Sequence, residues 1–201
     1  MAIQTEPQLT VAEYLAWEER QECKHEYIDG EIIEMTGGTR KHSRIIINLT
    51  LAIGSQLRGS NCVLHSSEMR VKAGDSRYVY PDLSAVCGDE LLEDASELTL
   101  LNPIFVVEVT SPSSLGYDYV DKLEFYFQVP SVEAYLIVDQ DRPYANLYTR
   151  AEAGRYLRMF NSLDDVIPLA ALNCELPLAQ VYHGIVSAGA GDQPLAAGPG
   201  N

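Results

Sequence analysis

Two carboxylates in this chain stand where carboxylates are costly. Glu108 lies inside the apolar run IFVVEVT at 104–110, and Asp82 follows Tyr80-Pro81 and precedes Leu83-Ser84-Ala85-Val86. An unpaired buried carboxylate is strongly disfavoured, so one persists when it is paired, bound to a metal or kept protonated for catalysis. Two such groups on neighbouring strands, with a backbone carbonyl such as that of Val109 beside them, form a ligand set for a hard cation, Mg²⁺ or Mn²⁺. A cation held in this way activates water and offsets charge on a phosphate. The same chemistry asks for a positive side chain near the attacking water, and Lys122 is the candidate. The alternatives are structural: an ion pair for Glu108, a solvated strand end for Asp82, and for Lys122 a helix-surface pair with Asp118 four residues earlier.

The elements that must position these residues are legible in outline. Thr10 with Glu13 forms a capping box for a short helix. Asp29-Gly30, between alternating segments in HEYIDGEIIEM at 25–35, predicts a two-residue β-hairpin. Residues 41–58 carry Ile46, Leu49, Ile53 and Leu57 at helical spacing, and Ile45, Ile47 and Leu51 add a second apolar side, so the helix is expected to be covered on more than one face. Three period-two strands fit 61–87, followed by an acidic loop or short helix. The run at 104–110, an amphipathic helix at 115–128 and the strand AYLIVD at 134–139 make a βαβ crossover with two parallel neighbours. Short edge strands are expected at 145–150, 155–160 and 172–176.

The chain has 201 residues, which predicts one domain over 1–186 and a disordered Gly/Pro/Ala-rich tail at 187–201. Its 14 Lys and Arg against 29 Asp and Glu give a net charge of −15, which argues against bulk electrostatic attraction to nucleic acid. Any phosphate backbone would have to meet a local patch, and Arg40, Lys41 and Arg44 are the densest one. Cys23, Cys62, Cys87 and Cys174 are far apart and read as reduced core residues of a cytoplasmic protein, and no membrane span or leader is expected. GSQLRGS at 54–60 lacks the lysine of a phosphate loop, and HExxH and CxxC are absent, which removes zinc from consideration.

Taken in order, YIDGEIIEM at 27–35, His42 at a helix start, Pro81-Asp82, VVEVTSPSS at 106–114, Asp121-Lys122-Leu123 with Tyr126, and AYLIVD resemble the Uma-type family of restriction-endonuclease-like proteins. This family is a branch of the PD-(D/E)XK nuclease superfamily. The resemblance implies an α/β fold, a mixed β-sheet flanked by helices, here with an N-terminal β-hairpin extension. It implies a Mg²⁺-dependent endonuclease acting on DNA, with Asp82, Glu108 and the Val109 carbonyl as ligands. The usual lysine two residues after the glutamate is Thr110 here, and its role would pass to Lys122 on the following helix. Glu34 on the hairpin would supply a further acid. His42 would touch phosphate or orient a carboxylate, with a low pKa at its helix start. A homodimer is expected of an enzyme that cuts two strands. The rival reading is a non-catalytic binding module that keeps the nuclease fold.

Overall fold

The computed structural model describes residues 9–93, 96–111 and 114–185. The predicted tail at 187–201 and the Pro112-Ser113 part of the motif lie outside them. The first helix, α1 (Val11–Glu18), starts at Thr10, whose hydroxyl and the Glu13 carboxylate form the expected capping box. Strands β1 (His25–Ile28) and β2 (Glu31–Glu34) form the expected hairpin. Its turn residues Asp29 and Gly30 have φ of 51° and 103°, a conformation that Asp tolerates and Gly prefers.

Helix α2 (Arg40–Gln56) buries Ile45, Leu49, Ala52 and Ile53. Ile47 and Leu51 stand exposed, so only one side of this helix is covered, contrary to expectation. Four strands then replace the predicted three: β3 (Cys62–Ser66), β4 (Arg70–Lys72), β5 (Arg77–Val79) and β6 (Leu83–Cys87). The segment YVYPDLSAVC breaks at Pro81-Asp82, because Pro81 has no N–H to give a ladder. There the chain passes from one sheet to another.

After β7 (Thr99–Leu100), the fully buried β8 (Phe105–Thr110) leads through a π-helical turn (Tyr117–Asp121) into α3 (Lys122–Gln128) and back along β9 (Ala134–Asp139). β8 and β9 are parallel, as the crossover requires. β10 (Ala145–Ala151) and β11 (Gly154–Phe160) complete a six-stranded sheet in the order β11-β10-β9-β8-β6-β3. Of these two only β11 is an edge strand. The hairpin is part of a second, five-stranded sheet, β2-β1-β5-β4-β7. A small ladder of β12 (Val166–Leu169) and β13 (Cys174–Pro177), then α4 (Leu178–Val181), closes the described chain.

Alternation along β8 decides what each residue meets. Phe105, Val107 and Val109 pack with α2, β12, β13 and α4 in the larger core. Val106 faces the other way, toward Leu123 and Tyr126 of α3. Glu108 shares that second face.

The expectation of four reduced core cysteines is overturned. Cys62 and Cys87 stand directly opposite in the β3–β6 register and form a disulfide. Their separation of 25 residues hides a pairing that only the register creates. Cys23 is exposed, and Cys174 alone is free and buried.

Candidate active site

Glu108 projects from the centre of β8 against α3, where Lys122 and Tyr126 are one turn apart on the facing side. Lys122 Nζ lies 2.8 Å from Glu108 Oε1, and the Tyr126 hydroxyl donates to the same oxygen at 2.7 Å. Lys122 makes a second ion pair, 3.0 Å from Oε1 of Glu26. It does not pair with Asp118, the alternative that spacing offered. Burial works against the Lys122 charge, but Glu108, Glu26 and Asp118 hold the ammonium protonated well above its ordinary range. Burial pushes the Glu108 carboxyl up, with Lys122 opposing and the charges of Asp82, Asp118 and Glu26 adding to the rise.

Asp82 sits just past the break between the two sheets. Its Oδ2 accepts the Val109 N–H at 2.7 Å and lies 3.2 Å from Nε2 of His42. The Asp82 contact fixes the end of β8 to the start of β6 beyond their last paired residues. His42 is set by the first turn of α2, where its N–H donates to the Thr39 hydroxyl. Gly38 makes room for its ring, since a Cβ at that position would come within 2.5 Å of Nδ1. Contrary to the low pKa expected of a helix start, His42 is raised: burial lowers it, and the neighbouring Asp82 carboxylate outweighs burial. Of the basic patch, Lys41 is engaged by Asp141 at 2.8 Å.

Asp82, Glu108, Lys122, Glu34 and His42, together with Val109, line one cavity of about 650 Å³. Glu34 is the outlying member, exposed on the edge strand β2. The acid that enters the Lys122 network is instead Glu26, on the other arm of the hairpin and 3% exposed. Its Oε1 also accepts the Tyr80 N–H at 3.1 Å, and its Oε2 accepts the Tyr117 hydroxyl at 2.8 Å. The rule that singles out Glu108, an acid inside an apolar run, does not reach Glu26, whose neighbours His25 and Tyr27 are polar-edged; only the alternation of the hairpin arm, with Glu26 facing inward, could have marked it. Asp118 is the other residue missed. It is 4% exposed, lines the same cavity, and its carboxyl is raised by burial while Lys122, Ser114 and Thr110 oppose the rise. Thr110, at the usual lysine position, is buried and 3.3 Å from the Ser114 hydroxyl.

No group of three or more His, Cys, Asp or Glu side chains among the described residues is arranged to hold a metal. The donors on offer are two carboxylates and a carbonyl, and the bonds given above occupy Oδ2 of Asp82 and Oε1 of Glu108. Such an oxygen set suits Mg²⁺, which keeps several waters and takes one or two carboxylates. Five carboxylates (Glu26, Glu34, Asp82, Glu108 and Asp118) line this cavity with one lysine and one histidine, an excess of negative charge that a divalent cation would offset.

The mixed six-stranded sheet, its crossover helix and a glutamate–lysine pair at its centre define a nuclease-like α/β fold. The chain belongs to the Uma2 family, described as "Putative restriction endonuclease", which it matches over residues 11–179. It is similar to two uncharacterised proteins of Synechocystis sp. One, slr1290, is 32% identical over 89% of this chain and 94% of its own length. The other, sll1609, is 34% identical over 70% of this chain and 80% of its own length. Its fold is similar to the crystal structure of a protein from Anabaena variabilis described as "a putative nuclease belonging to DUF820". The TM-score is 0.72 at 20% identity, over 87% of this chain and 97% of that one. No helix among the described residues is long and apolar enough to cross a membrane.

Proposed function

We propose that the protein is a metal-dependent endonuclease that hydrolyses phosphodiester bonds in DNA. The observation that carries this reading is the buried ion pair of Lys122 with Glu108 in the cavity that Asp82 also lines. Asp82, Glu108 and the Val109 carbonyl would hold Mg²⁺, or Mn²⁺, which when bound lowers the pKa of a water and offsets phosphate charge. Lys122 stays protonated, so it orients the attacking water and stabilises charge on the phosphate rather than removing a proton. Glu26 holds Lys122 in place from the hairpin, and Tyr117, in the turn before α3, donates to Glu26. His42, raised by Asp82, would donate to a phosphate oxygen or the departing oxygen. Glu34 would supply a further acid at the edge of the cavity. Cutting both strands would take two copies, so the reading includes a homodimer.

The rival reading, a non-catalytic docking module, would be favoured by an arginine closing on Glu108. The partners of Glu108 are Lys122 and Tyr126.

The test is plasmid nicking by the wild type and by Glu108→Ala, in Mg²⁺, in Mn²⁺ and in EDTA, at low salt to reduce repulsion between DNA and an acidic protein. Metal-dependent nicking by the wild type alone is the expected result. Equal activity in the variant would remove Glu108 from the mechanism, and cleavage in EDTA would remove the metal.

A further inference from the structure

The six-stranded sheet ends on β11, which is seven residues long and carries no proline. Every residue of it before Phe160 is exposed. Among these Tyr156 is 69%, Leu157 47% and Met159 65% exposed. An edge strand is a template for another strand, and proteins blunt it with brevity, charge or proline. β2, at the edge of the other sheet, is treated that way, with four residues and a glutamate at each end. On β11 the charges are two arginines, and both have a partner within the chain. Arg155 pairs with Glu124 of α3, and the Arg158 guanidinium lies 5.3 Å from the centroid of the Phe160 ring.

The register fixes which backbone groups this edge offers. Asp139 N–H donates to the Tyr144 carbonyl and Arg150 N–H to the Glu133 carbonyl, so the even-numbered positions along β10 bond to β9. The odd-numbered ones then face β11, where their partners are Gly154, Tyr156, Arg158 and Phe160. The N–H and C=O groups of Arg155, Leu157 and Met159 are left pointing out of the sheet.

A second copy of β11 answers these groups in one antiparallel register. With a two-fold axis on Leu157, Arg155 stands opposite the partner's Met159, Tyr156 opposite the partner's Arg158, and Leu157 opposite its own copy. All the outward residues then exchange both backbone bonds, and each Tyr156 ring gains a guanidinium from across the strands. A slip of one residue sets outward groups against inward ones. A slip of two leaves an outward residue beyond the partner strand and sets Tyr156 or Arg158 against its own copy, which for arginine is repulsive. The strand also carries no acid in a chain of net charge −15, so two copies repel each other less here than through their acidic faces.

We propose that β11 is the homodimer interface, joining two copies through an antiparallel ladder centred on Leu157, so that one sheet runs through both. The proposal rests on the nuclease reading for the need of two copies, and on the edge itself for where they meet.

Light scattering on a size-exclusion column at micromolar concentration is expected to give twice the chain mass. Leu157→Pro removes an N–H that β10 does not use, which an edge strand tolerates, and is expected to give a folded monomer by circular dichroism. Should that variant fail to fold, Tyr156→Arg, at an exposed position, is expected to weaken the dimer about tenfold by setting arginines against each other. Cross-linking reads the register. Cys23 is free and exposed, so the background is Cys23→Ser. There, Leu157→Cys is expected to link to its own copy on mild oxidation, because bonded opposite residues lie about 5.5 Å apart, within disulfide reach. Met159→Cys, opposite Arg155, is expected to stay unlinked. A monomeric wild type would overturn the proposal, as would a dimer that Leu157→Pro leaves intact or that Met159→Cys links as readily as Leu157→Cys. A β11 dimer that nicks no DNA would sink the nuclease reading and keep the interface, and nicking by a monomeric wild type would do the reverse.

Discussion

The two sheets are held by different kinds of contact. The six-stranded sheet packs aliphatic side chains on one face, with Val107, Leu136 and Val138 against Ile45 and Leu49 of α2. The five-stranded sheet leans on three buried tyrosines, Tyr14, Tyr27 and Tyr78, whose hydroxyls donate to the His25 carbonyl, the Leu9 carbonyl and Glu93. Apolar packing is non-directional and tolerates no buried charge alone, whereas tyrosines bring hydrogen bonds into a core and suit polar neighbours. Each sheet contributes one glutamate to Lys122, Glu108 from the aliphatic sheet and Glu26 from the tyrosine-rich one. The difference teaches why the site lies at the seam. The six-stranded sheet carries Glu108 and Val109, Asp82 lies in the break between the sheets, and the five-stranded sheet supplies Glu26 as the second acid on the lysine.

Removing the lysine breaks both halves at once. Lys122→Ala leaves two buried carboxylates unpaired and should cost about 3–5 kcal/mol in chemical denaturation, with turnover lost and metal binding retained. Unchanged turnover would return Lys122 to a structural role. Leu136→Ala probes the aliphatic sheet alone, and a loss of about 2–5 kcal/mol is expected from its buried position. Its cleavage per folded molecule should match the wild type. Glu26→Gln probes the other half, keeping the shape and removing one charge from Lys122. A loss of about 1–3 kcal/mol is expected, with a fall in kcat larger than any change in KM. Equal kcat would mean that Glu108 alone positions the lysine.

The smallest effect belongs to the hairpin turn. Asp29 accepts from Ser76 and Arg77, and these contacts hold its carboxyl below the ordinary range. A depressed carboxylate stabilises the fold above its unfolded pKa, and the benefit disappears as pH falls through the lower folded value. Asp29→Asn, which tolerates the same positive φ, should therefore melt slightly below the wild type at neutral pH and equal it in acid. A gap that persists in acid would assign the effect to the backbone.

Local signals were readable because their causes are local. The Thr10 and Glu13 cap, the Asp29-Gly30 turn and the 134–139 strand follow from bonds and dihedrals within a few residues. The break at Pro81-Asp82 is also local in cause, since Pro81 gives no N–H to a ladder, and it agrees with the strand end offered for Asp82 although the apolar alternation continues across it. The second sheet, the Cys62–Cys87 pairing and the exposure of Ile47 and Leu51 depend on which distant strand or helix lies alongside.

For the site, the sequence by itself determined that Glu108 and Asp82 needed partners, since an acid in an apolar strand is costly wherever that strand ends up. It also placed Lys122 on the helix that follows. The tertiary structure decided the rest: that Lys122 answers Glu108 and Glu26 rather than Asp118, and that Val109 and His42 close on Asp82. Those contacts join residues 14 to 96 positions apart, and the distance between such residues is set by sheet order and register, which no spacing along the chain encodes.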